Sequence, residues 1–249
     1  MDLRHTQRLF VNAQLGAGQA LTISGDQAHY LQHVIRLKPG ETIRLFNGQD
    51  GEWAGSIGTL GKRETVIHIQ QQTRPQSPQP DIQLCCAPIK KAHFEYMIEK
   101  ATELGVSSIR PLLTSRTQIR DVNIERCTSI ATEAAEQSDR LSVPRIEKPI
   151  TLNDLAASFP AGQQLVVCAE VGEATAVRDA FQSHSLKTVS AVTIVTGPEG
   201  GFAADELEKL RKISNGIFIR LGPRILRADT AAIAALSCWQ AIQGDWTRS

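Results

Sequence analysis

A proline-rich segment divides this chain of 249 residues into two stretches with different hydrophobic patterns. Residues 73–81 read TRPQSPQPD, with prolines at positions 75, 78 and 80. Proline has no backbone N–H and disfavours a helical residue before it, so the segment predicts an extended linker. We therefore expect a domain boundary at 74–81, with one domain at 1–73 and a second at 82–249.

The stretch before the linker has the pattern of a small β domain. Short β-rich runs lie at 21–23, 42–46, 52–57 and 65–69. Glycine-containing turn sequences separate these runs, as hairpins require. One helix is expected at about 26–36, with Asp26 as its N-cap residue. The pattern predicts a small β-barrel or sandwich that is interrupted by a single helix.

The stretch after the linker alternates short apolar runs with longer helical segments. The apolar runs, at 82–87, 108–113, 165–169, 192–196 and 217–221, are hydrophobic on both faces, as buried parallel strands are. Gly105 is expected just beyond the end of the first helix. Alternating strands and helices of this kind form an α/β domain with a parallel sheet, whose ligands bind beyond the carboxyl ends of the strands. The candidate site therefore lies in the loops after Ala169, Thr196 and Leu221.

Composition indicates the class of protein and the compartment in which it is expected. Hydrophobic residues make up 41% of the sequence, which is enough for a sizeable core, and the net charge of +1 does not by itself indicate a polyanionic partner. The apolar runs are far shorter than the roughly 20 residues that cross a bilayer. The first 25 residues lack the apolar centre of a signal peptide. We expect a soluble, cytoplasmic protein with no membrane partner.

The cysteines give no sign of a metal site or of a disulfide framework. They form no CxxC pair and lie inside apolar runs, at Cys85, Cys86, Cys127, Cys168 and Cys238. We expect reduced core residues and no metal.

The loop after the run at 192–196 is the most informative segment. It reads GPEGGF over residues 197–202 and leads directly into a helix with acidic residues in its first turn. Glycines allow backbone groups to approach a ligand closely, but neither phosphate-binding glycine motif is present. Glu199 would also repel a phosphate. The loop therefore predicts a neutral or cationic ligand, the alternative being a tight turn with no ligand.

A second segment combines a turn with a cluster of arginines. Residues 219–231 contain Arg220, Arg224 and Arg227 next to a Gly-Pro turn, and they lead into a helix of small residues at 231–241. Asp229 or Thr230 is expected to be the N-cap residue of that helix. The arginines are compatible either with a functional site or with a solvated surface cluster.

Taken together, these two segments resemble the signature of the ribosomal RNA small subunit methyltransferase E family, the uridine-N3 methyltransferases of the SPOUT superfamily. The resemblance extends over nearly the whole chain, in the family's order. It includes the blocks RLF (8–10), HY (29–30), VIR (34–36), KATELGV (100–106), PLLTSR (111–116), EAAEQSDR (133–140) and VP (143–144). The chain departs from the family locally: Ala228-Asp229 replaces Thr-Glu, His93 replaces a common arginine, and Cys127 replaces a frequent tryptophan.

The resemblance implies a fold, an assembly and a cofactor. The expected fold is a PUA-like β-barrel followed by a SPOUT-type α/β domain with a deep trefoil knot. The expected assembly is a homodimer in which the second subunit completes the active site. The cofactor would be S-adenosylmethionine. The residues that would enclose it are Ala169, Glu170, Thr196, Gly197, Pro198, Glu199, Gly200, Gly201, Leu221, Gly222, Ile225, Leu226, Arg227 and Thr230.

The implied reaction is methylation of uridine N3 in the 16S rRNA of the small ribosomal subunit. Uracil N3 must lose its proton, so the site has to stabilise negative charge, which arginine does with a planar fork of donors. Arg227 is the first candidate for this role, followed by Arg224 and Arg116. The general base stays open between Glu199 and Asp229. RNA contacts are expected from Arg8, Arg36, Arg116 and Arg140.

Two other functions remain open on the sequence alone. One is a SPOUT methyltransferase that acts on another RNA or on a ribose 2′-hydroxyl. The other is a non-catalytic RNA-binding protein that assists ribosome assembly. Binding of S-adenosylmethionine would separate the second from both enzymes.

Overall fold

The structure is a computed structural model that describes residue 3 and residues 6–169, 173–183 and 191–247. The chain divides into two compact units. The first unit contains residues 1–78 and 135–143, and the second contains residues 79–134 and 144–249.

The first unit contains a five-stranded sheet. Its strands are β1 (Arg8–Phe10), β2 (Ala20–Ser24), β3 (Thr42–Phe46), β4 (Glu52–Leu60) and β5 (Glu64–Arg74). They are ordered β1-β3-β4-β5-β2, with β1 parallel to β3 and the other pairs antiparallel. The predicted runs all lie in strands, whereas β1 was not predicted, because three residues are too few to show an alternation. Leu31, Ile43, Leu45 and Ile67 are fully buried and form the centre of the core.

The helical segment of the first unit differs from the prediction. Helix α1 (Gly25–His29) begins after Ser24 rather than after Asp26, and a π-helical turn (Tyr30–Val34) follows it. The expected helical segment at about 26–36 is therefore present, at 25–34, whereas the prediction of Asp26 as its N-cap residue is wrong. Arg36 lies beyond the helix in a left-handed conformation, with φ 62°. π-Helical turns and non-glycine residues with positive φ are uncommon and often occur at functional positions.

The first unit contains a buried ion cluster formed by Glu52, Arg8 and Arg74. Glu52, 1% exposed, accepts hydrogen bonds from Arg8 Nε at 2.8 Å and from Arg74 Nη2 at 2.7 Å. Arg8 also donates to the carbonyls of Ala135, at 2.8 Å, and of Arg140. A buried carboxylate without such partners would be strongly destabilising, so Glu52 and Arg8 depend on each other.

In the second unit, the described residues form an eight-stranded, all-parallel sheet. Its strands are β6 (Asp81–Cys86), β7 (Ser108–Leu113), β8 (Arg145–Ile146), β9 (Ile150–Thr151), β10 (Gln164–Cys168), β11 (Thr175–Ala176), β12 (Ala191–Thr196) and β13 (Gly216–Arg220). The order is β11-β13-β10-β12-β6-β7-β8, with β9 also beside β7. Each predicted apolar run coincides with one strand to within a residue.

Among the described residues beyond 90, the helices are α2 (Lys91–Glu103), α3 (Ile124–Gln137), α4 (Leu152–Ser158), α5 (Val177–Gln182), α6 (Ala204–Arg211) and α7 (Ala228–Ile242), and a 3₁₀ turn follows at Asp245–Thr247. Gly105 has φ +84° directly after the C-cap residue Leu104, which confirms its predicted position. Helix α7 begins at Ala228 with Arg227 as N-cap, so the expected start at 231 is wrong. Asp229 lies within the first turn of α7 and is therefore not its N-cap residue; its side chain is hydrogen-bonded to His93.

Candidate active site

The strand order of the second unit brings three loops together. Strand β10 lies between β12 and β13, and all three are parallel, so their carboxyl ends meet at one edge of the sheet. The loops that follow enclose a cavity of about 480 Å³. This volume is typical of a site for a small molecule or cofactor.

Most of the residues that the sequence analysis assigned to a cofactor line this cavity. They are Ala169, Thr196, Gly197, Pro198, Glu199, Gly200, Gly201, Leu221, Gly222, Ile225, Leu226 and Arg227. Thr230 does not appear among the described residues of the lining; it is an exposed residue in the first turn of α7. Glu170 lies outside the described residues.

The loop between β12 and α6 needs its glycines for local geometry. The Gly201 amide donates to the Pro198 carbonyl at 2.9 Å and closes a turn in which Gly201 has φ +67°. A Cβ on Gly197 would lie 3.1 Å from the ring of Phe202, closer than most real Cβ contacts. The loop therefore keeps its backbone at the cavity surface, as a backbone-binding site for a ligand requires.

The segment between β13 and α7 forms the facing wall. Gly222 has φ +116°, which a residue with a side chain rarely adopts. Ile225 is 84% exposed, an unusual state for a large apolar side chain next to a cavity. Arg227 follows as the N-cap residue of α7 and also lines the cavity.

Two of the three predicted catalytic arginines, Arg224 and Arg227, lie on this wall, and Arg116 reaches the cavity from another element. Arg116 follows β7, and its Nη1 donates to the Gly200 carbonyl at 2.6 Å. The structure thus brings Arg116 to the same cavity as Arg224 and Arg227, which lie more than a hundred positions later in the sequence. Cations that line a cavity can stabilise developing negative charge there.

The two carboxylates considered as general base have different surroundings. Glu199 is exposed and lines the cavity. Asp229 is buried, and its Oδ2 lies 2.8 Å from Nδ1 of His93 on α2. Burial raises the pKa of Asp229, but hydrogen bonds from His93 and the Thr230 amide outweigh it, so the pKa of this carboxyl lies below its ordinary value.

Sequence reasoning missed several residues of the lining. These are Cys168, Phe202, Leu207, Ile219, Arg220, Pro223, Ala228 and Ala231. Each of these residues lies within a few positions of a predicted one. Knowledge that β10, β12 and β13 are adjacent and parallel would have indicated that their neighbouring residues also line the cavity. Burial raises the pKa of Cys168 to about 12, so this thiol is no nucleophile at neutral pH.

The arginines expected to contact RNA fall into two groups. Arg36 and Arg116 are exposed. Arg8 and Arg140 are 3% and 8% exposed, and Arg8 is held by Glu52 in the ion cluster of the first unit. A buried guanidinium does not reach a phosphate without rearrangement, so the burial of Arg8 and Arg140 argues against direct phosphate contacts by these two residues.

The described part of the chain contains no candidate metal site, because no group of three or more His, Cys, Asp and Glu residues in it could hold a metal ion. Among its helices, none is long and apolar enough to cross a membrane.

Comparison with known proteins identifies the class of protein to which the two domains belong. Residues 75–240 match the family model of an RNA methyltransferase domain, and residues 23–70 match that of an RNA methyltransferase PUA domain. The fold is thus a SPOUT-type α/β domain together with an N-terminal PUA domain, whose sheet is curled. These features define an RNA methyltransferase.

The chain belongs to the ribosomal RNA small subunit methyltransferase E family. The member from Rickettsia conorii is 39% identical over 231 residues, covering 92% of this chain and 93% of that protein. The Bacillus subtilis member is 31% identical and covers 93% and 94%. The crystal structure of the Neisseria gonorrhoeae member, bound to S-adenosyl methionine, matches with a TM-score of 0.86 at 25% identity, covering 97% of this chain and 100% of that one.

Proposed function

We propose that this protein transfers the methyl group of S-adenosylmethionine to N3 of a uridine in the 16S rRNA of the small ribosomal subunit. The observation that carries the proposal is the cavity at the ends of β10, β12 and β13, lined by the family's two signature segments. The relatives that this chain matches over 93% and 94% of their length are named ribosomal RNA small subunit methyltransferase E.

The cavity residues fit this cofactor in charge and in hydrogen-bonding capacity. S-Adenosylmethionine carries a sulfonium cation, which agrees with the Glu199 carboxylate on the wall. The Thr196 hydroxyl is buried and has no hydrogen-bond partner among the described residues, so a polar ligand would relieve its desolvation. Backbone groups of 197–201 and 221–226 would hold the adenosine. When bound, the cofactor supplies the electrophilic methyl group.

The arginines account for the charge that the uracil ring develops. Removal of the N3 proton leaves negative charge shared between the ring nitrogen and the carbonyl oxygens. Arg227, with Arg224 and Arg116 beside it, would stabilise this charge because guanidinium remains protonated and presents several donors. Of the two candidate bases, Glu199 is the better placed, since it lines the cavity while the Asp229 carboxylate faces His93.

The remaining expectations on partners and setting belong to this proposal. We propose a homodimer, supported by the exposed Ile225 at the cavity, which a second subunit would cover. We also propose a PUA-like RNA-binding domain at 1–73 and a catalytic domain at 82–249, joined by the linker 74–81. Arg36 and Arg116 would contact RNA phosphates, and the protein would act in the cytoplasm.

Nucleoside analysis of a deletion strain tests the proposed reaction. Deletion of the gene should abolish 3-methyluridine in 16S rRNA, and the wild-type gene should restore it. Loss of a different methylated nucleoside, from tRNA or from a ribose, would instead identify another SPOUT activity. An unchanged nucleoside profile, with no calorimetric binding of S-adenosylmethionine, would favour a non-catalytic assembly factor.

A further inference from the structure

Glu206, on the first turn of α6, is a buried carboxylate that the mechanism above does not use. It is 5% exposed. Its Oε2 accepts a hydrogen bond from the Ala203 amide at 2.9 Å, and its Oε1 accepts one from the Ser115 amide at 2.7 Å. A buried carboxylate persists only when its oxygens are hydrogen-bonded, and amide donors to a charged acceptor form some of the stronger bonds in proteins.

The two contacts of Glu206 have different meanings. The bond to Ala203 is the carboxylate half of a capping box and accounts for the start of α6. The hydrogen bond from Ser115 does not cap a helix, because Ser115 follows β7 and is 91 residues away in sequence. It fastens the segment after β7 to the end of the loop 197–202.

The segment that Glu206 holds is itself a closed turn. The Thr114 amide donates to Thr117 Oγ1 at 2.9 Å, and the Thr117 amide donates to the Thr114 carbonyl at 3.3 Å. Arg116 lies within this turn, and its guanidinium donates to the Gly200 carbonyl. Fixing the Ser115 amide therefore also fixes the base of the Arg116 side chain.

These contacts form a ring around the cavity wall. Starting from Glu206, the ring passes through Ser115 and Arg116 to Gly200, and it returns along the loop to Ala203 and Glu206. The C-terminal half of the loop 197–202 is thus attached to one buried carboxylate at two points, through Arg116 at Gly200 and directly at Ala203, which follows the loop. A loop held at two points loses little further entropy when it binds a ligand.

We propose that Glu206 is a positioning residue, which holds the cofactor-binding loop and Arg116 in their working arrangement. The proposal rests on the proposed function, because it assumes that S-adenosylmethionine binds at this loop. It assigns to Glu206 no contact with the cofactor or with RNA.

The test is a double-mutant cycle on cofactor affinity, read by calorimetry. Glu206→Gln keeps the size of the side chain but has one acceptor oxygen for two amide donors. Because the ring needs both contacts, we expect Glu206→Gln and Arg116→Ala each to raise the Kd for S-adenosylmethionine about tenfold, the effect of losing one such hydrogen bond. The double variant should be no weaker than the weaker single variant, because either change opens the same ring.

The matched control is Asp205→Asn, on the same helix, which removes an exposed ion pair with Lys209 and should leave the Kd unchanged. Kd changes that multiply in the double variant, or a wild-type Kd in either single variant, would overturn the proposal. Since Arg116 is exposed, Arg116→Ala should fold even if Glu206→Gln does not. Failure of the wild-type protein to bind the cofactor would instead overturn the proposed function.

Discussion

Arg227 is the residue on which the proposed chemistry depends most. It is exposed and lines the cavity. It is also the N-cap residue of α7, but its side chain forms no capping hydrogen bond with the described residues. We expect Arg227→Ala to lower the rate of methyl transfer by about 10²–10³-fold, as is typical for loss of one charge-stabilising donor. Cofactor affinity should change far less, because the charge develops on the uracil.

Single-turnover assays and calorimetry measure these two quantities separately. Arg178→Ala is the control, because Arg178 is an exposed arginine outside the lining of the main cavity and pairs with Asp179. A variant Arg227→Ala that methylates RNA at the wild-type rate would remove Arg227 from the mechanism.

Glu52 makes the stability of the first unit dependent on pH. Burial raises its pKa, but hydrogen bonds from Arg74, Arg8 and Thr73 outweigh burial and lower the pKa from 4.5 to about 2. A lowered pKa means that the stabilisation is present above the unfolded value and is lost as the pH falls from about 4.5 towards 2. The shift corresponds to about 3 kcal/mol of unfolding free energy at neutral pH.

Urea denaturation of wild type and of Glu52→Gln at several pH values tests this contribution. The wild type should be more stable at pH 7 by several kcal/mol, since a neutral amide at position 52 would leave buried Arg8 with only the exposed carboxylate of Asp139 as a counter-charge, 3.5 Å from its Nε. The difference should shrink as the pH falls below about 4.5. Glu64→Gln, at an exposed position on β5, should show little difference at any pH. A pH-independent gap for Glu52→Gln would contradict the assignment.

At the scale of elements, the start of α7 is held by a contact between two helices. Asp229 in its first turn is hydrogen-bonded to His93 at the start of α2. A carboxylate in this position also interacts favourably with the helix dipole. We expect Asp229→Ala to lower the free energy of unfolding by about 2 kcal/mol, by loss of a buried hydrogen bond and of the dipole interaction.

The same measurement on His93→Arg serves as the comparison for Asp229→Ala. Arginine also provides a hydrogen-bond donor for Asp229, so this variant should retain most of the stability, whereas His93→Ala should lose it. Equal effects of His93→Arg and His93→Ala would show that the carboxylate does not depend on a donor at this position.

Element boundaries show what the sequence can and cannot predict. The strands of the second unit were predicted closely because buried parallel strands are apolar on both faces, and such runs are visible without any partner. The two-residue strands, β8, β9 and β11, were not, because pairing alone defines them. The π-helical turn at Tyr30–Val34 and the early start of α7 also depend on contacts rather than on local propensity.

The candidate site was predictable where it depends on backbone conformation and unpredictable where it depends on side chains distant in sequence. Residues 197–201 and 221–227 stand out because glycine and proline turns next to buried strands are conspicuous in a sequence. The bonds of Glu206 to Ser115 and of Asp229 to His93 join residues 91 and 136 positions apart, and nothing local indicates them. The burial of Arg8 is of the same kind.

At the scale of the whole molecule, RNA affinity should depend on salt, because arginines bind phosphates with release of counterions. Arg36 is exposed on the first unit, at a backbone position with positive φ. We expect Arg36→Gln to weaken RNA binding several-fold and to reduce the slope of log affinity against log salt by about one. Lys62→Gln, on another loop of the same unit, is the control. RNA binding that is indifferent to ionic strength would contradict a phosphate contact.

Reconstitution tests directly whether this protein methylates N3 of a uridine in small-subunit rRNA. Small subunits from a strain without the gene are incubated with the purified protein and S-adenosylmethionine, and the nucleosides of their 16S rRNA are analysed by mass spectrometry. We expect 3-methyluridine to appear with the wild-type protein and to be nearly absent with Arg227→Ala. A wild-type protein that binds the cofactor but forms no 3-methyluridine, or places the methyl group on another atom, would contradict the proposed reaction.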